Sequence, residues 1–449
     1  MREAKFKETG IGRIPEDWDI KKIDDIKSKK PHSMAMGPFG SNITKDNFVS
    51  SGVPVIRGGN LTSEKFKESG FVFISEAKAD SLKSSNASPK DIVITHRGTL
   101  GQVGIIPVNG KYNRYVVSQS QMKLSCDESI ANPYFLFYFL RSPQGQYLLL
   151  KNTSTTGVPA IAQPLTTLKN ILIPLPSLNE QRAIASILGS LDDKIALNRS
   201  MNSTLEAIGQ ALFKHWFVDF EFPDGDGKPY RSSSGEMVDS ELGGVPKGWE
   251  VEKLNNLLNS IESGRRPKGG IDSTLKEGVP SIGAENINGL GFYDYSSTKY
   301  ISQEYFEQMK QGIVKNEDVL LYKDGASLGR KTMFGKGFPF TTCCVNEHVF
   351  ILRANEKINQ YFLYFWLNQN EITENIKNLN ANSAQPGINK QSVGTLKILI
   401  PDKRILDMFE KAIKSVIETI FLNCLESRNL SQIRDALLPK LMSGKIKVR

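Results

Sequence analysis

The sequence predicts a mixed α/β (α+β) protein in which two pseudo-symmetric globular domains are separated by two long helices forming an antiparallel coiled coil. Three observations carry this. The chain repeats itself at long range. Each repeat is built from short apolar runs punctuated by glycine and proline. Each repeat ends in a heptad-patterned stretch.

The repeat comes first. Gly52-Val-Pro-Val-Ile56-Arg57-Gly-Gly-Asn60-Leu61 returns as Gly278-Val-Pro-Ser-Ile282-Gly283-Ala-Glu-Asn286-Ile287. Asn132-Pro-Tyr134-Phe-Leu-Phe137 returns 227 residues later as Asn359-Gln-Tyr361-Phe-Leu-Tyr364. Leu168–Pro174 returns, with small slips, as Leu396–Pro401. Such a period far exceeds the roughly 20–50 residues of a solenoid unit. It is a duplicated domain with its connector, and a two-fold protein suits a two-part target such as duplex DNA.

Each half opens alike, with Ile11-Gly-Arg-Ile-Pro15-Glu-Asp-Trp18 matched by Leu242-Gly-Gly-Val-Pro246-Lys-Gly-Trp249. Short β-type runs follow: Val53–Ile56, Ile92–Thr95, Val103–Ile106 and Ile171–Ile173, then Val319–Tyr322 and Val349–Leu352. Glycine and proline clusters between them read as turns. Pro133–Arg141 and Gln360–Asn368 read as a repeated helix.

The connector begins at Ser177-Leu-Asn-Glu180, a capping box before a periodic apolar run. That run places Ile184, Leu188, Leu191, Ile195, Asn198, Asn202, Leu205, Gly209 and Leu212 on one seam. The second half places Phe409, Ile413, Val416, Ile420, Asn423, Ser427, Leu430, Arg434 and Leu437 on another, each 225 residues after its partner. A helix of about 40 residues spans roughly 60 Å and would expose an apolar stripe if alone. Two such helices bury their stripes on each other, and a two-fold axis across them makes the pair antiparallel. The competing expectation is that each helix packs on its own globular domain. The mid-seam asparagines Asn198 and Asn423 are expected to fix register. The first helix is expected to stop at Phe222-Pro223, and the second to be interrupted at Pro439 and stop near Ser443-Gly444. The boundaries are therefore 1–176 and 242–401 for the globular domains, 177–222 and 402–449 for the helices, and 223–241 for a polar linker.

Composition fits a water-soluble, multi-core protein: 449 residues, 39% apolar, 23% charged, net charge +9. The basic balance favours a polyanionic partner. Four cysteines without a CxxC pair, no apolar h-region and no long apolar run point to the cytoplasm, not to secretion or a membrane. The four histidines show no metal-ligand spacing, so no metal is expected.

Ala211-Leu-Phe-Lys-His-Trp216-Phe-Val-Asp-Phe220, Pro223-Asp-Gly-Asp-Gly, Asn179-Glu-Gln-Arg182, Leu437-Leu-Pro-Lys-Leu-Met-Ser-Gly-Lys-Ile446 and the two Gly-x-Pro-x-Ile openings resemble the specificity subunit of type I restriction–modification enzymes. The resemblance covers essentially the whole chain. It implies two target recognition domains, each reading one half of a bipartite, asymmetric DNA site, with an unread spacer set by the helices. It also implies two modification (methyltransferase) subunits as partners, and restriction/translocase subunits beside them. S-adenosylmethionine, ATP and Mg would then sit on those partners, and this chain would bind no cofactor.

The residues support a non-catalytic reading. Asn132-Pro133-Tyr134-Phe135 resembles the Asn-Pro-Pro-Tyr/Phe signature of adenine methyltransferases. Its copy lacks the proline, and an N-cap asparagine followed by proline at N1 explains it. Gly335-Lys336-Gly337 is too short for a phosphate loop. The alternatives kept open are a self-sufficient DNA-modifying enzyme and a protein-binding scaffold.

DNA contacts are expected from polar and basic loop residues. In the first half these are Ser41, Asn42, Arg57, His96, Arg97, Thr99, Gln102, Arg114, Thr155 and Thr156. In the second they are Arg265, Arg266, Lys268, Lys323, Ser327, Arg330, Lys331, Asn382, Gln385 and Lys390. Phe39 is read as core in preference to a base-stacking ring. Arg182, Lys194, Arg199, Lys214, Lys411, Lys414 and Arg428 are outward helix residues that either face the modification subunits or form an ordinary charged helix face.

Overall fold

The computed structural model describes residues 5–62, 64–154, 157–272, 274–379 and 387–448. One compact unit holds the residues up to Ala196 and those from Asn429 onward; the other is Leu197–Arg428. Four helices organise them: α1 Pro133–Arg141, α2 Leu178–Phe217, α3 Gln360–Leu367 and α4 Lys403–Met442. The division falls inside both α2 and α4.

The first unit is built on β1 Met34–Met36, β2 Val53–Ile56, β3 Ile92–Thr95, β4 Tyr115–Val117 and β5 Gln121–Leu124. An antiparallel four-stranded sheet runs Val103–Ile105, β3, β5, β1. A five-stranded sheet runs Phe48–Val49, Val72–Ile74, β2, β4, Asn86–Ala87, with β2 and β4 parallel. All residues of β3 are buried, which explains a continuous apolar run where one wet face would give alternation. Ile92 and Ile94 join the core under α1, while Val93 joins a separate core with Ile56 and Val117. Asn132 caps α1 by accepting from the amides of Tyr134 and Phe135, with Pro133 in the first turn. The methyltransferase-like tetrapeptide is thus a helix start.

The second unit repeats this frame with β6 Leu258–Ser263, β7 Val279–Ile282, β8 Val319–Tyr322, β9 Cys344–Val345 and β10 Val349–Ala354. Its four-stranded sheet runs β6, β10, β8, Lys331–Met333; its three-stranded sheet runs Lys299–Ile301, β7, β9, with β7 and β9 parallel. Asn359 caps α3 through the Phe362 amide. The opening phrases serve as ties. Asp19–Lys22 pairs with Leu172–Leu175, and Glu250–Lys253 pairs with Lys397–Ile400. Trp18 is buried, and its indole donates to Glu180 on α2 at 3.1 Å.

The long helices run antiparallel within each unit. In the second unit Asn198 donates to the Asn423 carbonyl and to Glu426, and Asn423 donates to Asn202 at 2.9 Å. Further along, Phe213 and Phe217 of α2 meet Phe409 of α4. In the first unit Arg434 of α4 meets Asp192 of α2 at 2.7 Å. The competing expectation also holds in part. Ile184, Leu188, Leu438 and Leu441 share the core of α1, and Phe213, Phe409, Ile413 and Ile420 share the core of α3. Each helix therefore buries more than a two-position seam: Ile417 and Phe421 are buried beside it. Leu191, Leu205, Leu212, Val416, Leu430 and Leu437 are only half-buried.

The end of the first helix, the linker and the proline of the second helix differ from expectation. Helix α2 ends at Phe217, before Phe222. The amides of Val218 and Asp219 close onto the Lys214 carbonyl, and Phe220 takes a left-handed φ of 62°, which turns the chain before the proline acts. The stretch 223–241 is folded. Phe222 stacks between Tyr230 and Trp249, and Met237–Ser240 pairs with Gly243–Pro246. Helix α4 runs unbroken through Pro439, where an interruption was expected, and ends at Met442 near the expected Ser443-Gly444, where Gly444 turns with φ 67°.

Candidate nucleic-acid interface

Strand pairing brings five strand ends of the first unit to one rim. β2 and β4 run parallel and end together at Ile56 and Val117. A short turn, Ser118-Gln119-Ser120, leads from β4 into β5, whose first residue Gln121 pairs with Thr95 at the end of β3. Met36, the end of β1, pairs with Met122. Main-chain bonds lock the rim: Gly37 to Gln121, Ser118 to Ile56, and His96 to Ser120, at 2.8–3.0 Å. A Cβ on Gly37 would overlap the Ser118 carbonyl, so only glycine passes there. Asn60 is buried and accepts from the Arg57 amide, fixing the turn after β2.

The second unit builds the same rim from Ser263, Ile282, Tyr322, Val345 and Val349. Here Gly264 crowds the Val345 carbonyl, and Asn286 accepts from the Gly283 amide at 3.1 Å. The turn Asn346-Glu347-His348 takes the place of Ser118-Gln119-Ser120. In each unit a second loop edges the rim. Ile161 bonds to the His96 carbonyl in one, and Ile388 to the Lys323 carbonyl in the other.

Most of the sequence-expected residues fall on these rims, in different states. Ser41, Asn42, Arg57, Arg97 and Thr99 are exposed, and Gln102 is half-buried between Thr95 and the Gly58 carbonyl. Among the described residues neither Arg57 nor Arg97 has an ion-pair partner; Arg57 donates to the Gly70 carbonyl. His96 is buried, its Nε2 donates to the Gln119 carbonyl, and burial pushes its pKa below the usual imidazole value. It supports the rim and presents no cation. In the second unit Arg265, Lys268 and Lys390 are exposed and Ser327 is half-buried. Arg330 donates to Asn288 at 2.8 Å. Arg266 is paired with Glu347 and touches His348, which pairs with Asp324 at 2.7 Å. Lys323 lies over the Phe350 ring at 5.1 Å.

Two expected contacts do not belong there. Arg114 precedes β4 at the far end from the rim, where Glu76, Asp80 and Asn86 hold its guanidinium. Lys331 is buried with its ammonium on Thr373, and burial lowers its pKa to about 8. Thr155, Thr156, Asn382 and Gln385 lie outside the described residues. Phe39, read as core, is instead 82% exposed at the tip of a turn. Gln119, Glu347 and His348 were missed. Lining up the turns that join the matched strands would have found them.

The sequence family decides what this frame is. The model of the type I restriction modification DNA specificity domain matches residues 15–207 and 246–426. The chain belongs to that family. The MjaIX specificity subunit of Methanocaldococcus jannaschii is 29% identical and is covered over 97% of its length by 99% of this chain. The HindI specificity subunit of Haemophilus influenzae is 26% identical, over 92% of this chain and 98% of that one. A crystal structure of a type I restriction–modification S subunit from M. genitalium shares the fold, with TM-score 0.54 and 17% identity over 94% of this chain and 96% of that one. The two matched stretches of the specificity family each contain one rim. Among the described residues no group of three or more His, Cys, Asp or Glu could hold a metal. None of the described helices is long and apolar enough to cross a membrane.

Outward helix residues divide as well. Arg182, Lys411 and Lys414 are exposed, but Lys214 pairs with Asp219 and Arg428 lies 4.5 Å over the Tyr295 ring. Leu197, Met201 and Ile208 of α2 and Leu422 of α4 expose apolar side chains instead.

Proposed function

We propose that this chain reads DNA sequence for a type I restriction–modification complex, one half-site per rim, and has no catalytic centre of its own. The observation that carries the reading is the repeated strand frame, which delivers different side chains to matching rims. Two unlike rims imply two unlike half-sites, so the target is bipartite and not palindromic. Arginine and amide side chains at strand ends suit base edges, and the basic balance suits phosphates. The exposed apolar side chains of α2 and α4, with Lys411 and Lys414, form the face we assign to two modification subunits. Those partners carry S-adenosylmethionine and adenine methylation; restriction subunits add ATP and Mg, and the complex works in the cytoplasm.

Footprinting of the complex assembled with its modification subunits tests the reading. Two short protected blocks separated by a constant gap are expected; one continuous palindromic block overturns it. The purified chain alone should transfer no methyl group and cut no DNA.

A further inference from the structure

Phe39 is a large aromatic ring with almost its whole surface in water, on a loop that the frame holds firmly. Gly37 behind it is locked against the Ser118 carbonyl, Pro38 fixes the next φ, and the Asn42 amide closes a turn onto the Phe39 carbonyl at 2.8 Å. Gly40 lies against the amide end of the Gln119 side chain. The ring is therefore presented at small conformational cost. Beside it is an open hollow of about 320 Å³, floored by Ile43, Phe48 and Val55 and edged by Arg57 and Gln119. Among the described residues no carboxylate lines the hollow, and Arg57 is the one charged side chain there. The surroundings therefore favour a polyanion with apolar faces over a protein surface or an acidic peptide.

We propose that Phe39 is a wedge that inserts between stacked bases of the half-site bound by the first unit, opening one base step. This rests on the DNA-reading function above. An apolar side chain pushed into a base step partly unstacks it and bends the duplex, and sequences that deform easily are then preferred. The wedge belongs to one rim only. In the second unit the matching residue is Arg266, held in an ion pair by Glu347. The first half-site is selected partly by its deformability, while the second stays stacked.

The methylated motif of the host genome supplies both half-sites. Duplexes carrying 2-aminopurine at successive positions of the first half-site, outside the methylated adenine, are then bound to the complex assembled with modification subunits. One position is expected to brighten several-fold. Phe39→Ala should abolish that signal and weaken binding about tenfold, the order of one lost base–aromatic stack. Phe39→Trp should retain both, and the second half-site, probed likewise outside its methylated adenine, should stay dark in every variant. No bright position in the first half-site, or a signal that survives Phe39→Ala, overturns the wedge. In either case the two-block footprint persists; loss of both blocks with the wild-type chain would instead bring down the DNA-reading function itself.

Discussion

At the rim of the first unit Phe39 stands beside Gln119; at the same place in the second unit Arg266 is paired with Glu347. Both positions follow a glycine pressed against backbone, and both turns are closed by the same type of main-chain bond. The difference teaches how this fold separates stability from specificity. Ladder hydrogen bonds and buried asparagines hold the rim, and none depends on the side chains that point outward. The tips are free to change in pairs, ring with amide or guanidinium with carboxylate. The largest effect therefore comes from breaking the frame. Gly37→Val drives a side chain into the Ser118 carbonyl and should cost about 3 kcal/mol or more. Gly264→Val should do the same in the other unit. In footprints each variant should lose its own protected block and keep the other. Loss of both blocks would mean that the rims are not independent.

A second comparison lies where the helices join each unit. In the first unit Tyr138 donates to Asp192 at 2.7 Å, and Asp192 accepts from Arg434 at 2.7 Å. The matching residues of the second unit are Phe365, Ile417 and Gly209, all in one apolar core. Three positions have changed together from a buried polar network to packed hydrocarbon. Arg434→Ala removes the partner of Asp192 on α4 and leaves its carboxylate to Tyr138 and the nearby Arg141 of α1, and should cost about 1–3 kcal/mol. Gly209→Ala places a methyl 2.5 Å from the Phe365 ring and should cost about 1–3 kcal/mol. Hydrogen exchange should show each loss confined to one unit. Arg434→Met alone should not rescue the first unit, whereas Tyr138→Phe, Asp192→Ile and Arg434→Gly together should, provided that Arg141, which faces Asp192, is also changed to asparagine, as at the matching Asn368.

The same logic applies within the four-stranded sheets. Val103 pairs with Ile94 in one unit, and Lys331 pairs with Leu321 in the other. Burial, with Lys377 nearby, lowers the folded pKa of Lys331 to about 8, below its ordinary 10.5. Folding thus favours the neutral amine. The penalty is fully present below pH 8 and is relieved as pH rises from 8 toward 10.5, where the unfolded chain binds more protons. At neutral pH it is worth roughly 3 kcal/mol. Lys331→Met loses the bond to Thr373 and should still stabilise by about 1–2 kcal/mol in urea unfolding at pH 7, with the advantage shrinking above pH 9. An advantage independent of pH would show that the ammonium keeps its charge in the fold.

Much of this was legible in the sequence. The repeat offset gave two units of one topology, and the heptads gave an antiparallel pair, because burial and pairing obey short periodicities. What stayed hidden depended on three-dimensional convergence. Nothing local distinguishes Lys331, which is buried, from Lys268, which is exposed. Arg114 looks like a loop arginine until Glu76, Asp80 and Asn86, all distant in sequence, close on it. Phe39 misled because aromatic rings are usually buried, whereas here the ring sits on the turn that the Asn42 amide closes onto the Phe39 carbonyl, away from every core. The α2 end was misplaced because a left-handed phenylalanine, which sequence rarely signals, did the work expected of Pro223.

The smallest expected effect sharpens the contrast in charge between the rims. Arg57 and Arg97 have no ion-pair partner among the described residues, whereas Arg266 and His348 are bound to acids. An unpaired arginine that meets a phosphate releases a counterion outright; a paired one must first exchange its carboxylate. Arg57→Ala and Arg97→Ala should each lower the slope of log affinity against log salt by about 1, with little change in which sequences are preferred. Arg266→Ala should instead relax preference at one position of the second half-site, at about 1–3 kcal/mol, with a smaller change in slope. Measuring affinity of the assembled complex across a salt series, on matched and mismatched duplexes, separates the two kinds of arginine. If Arg266→Ala changes only the slope, the second rim holds phosphate and reads no base there.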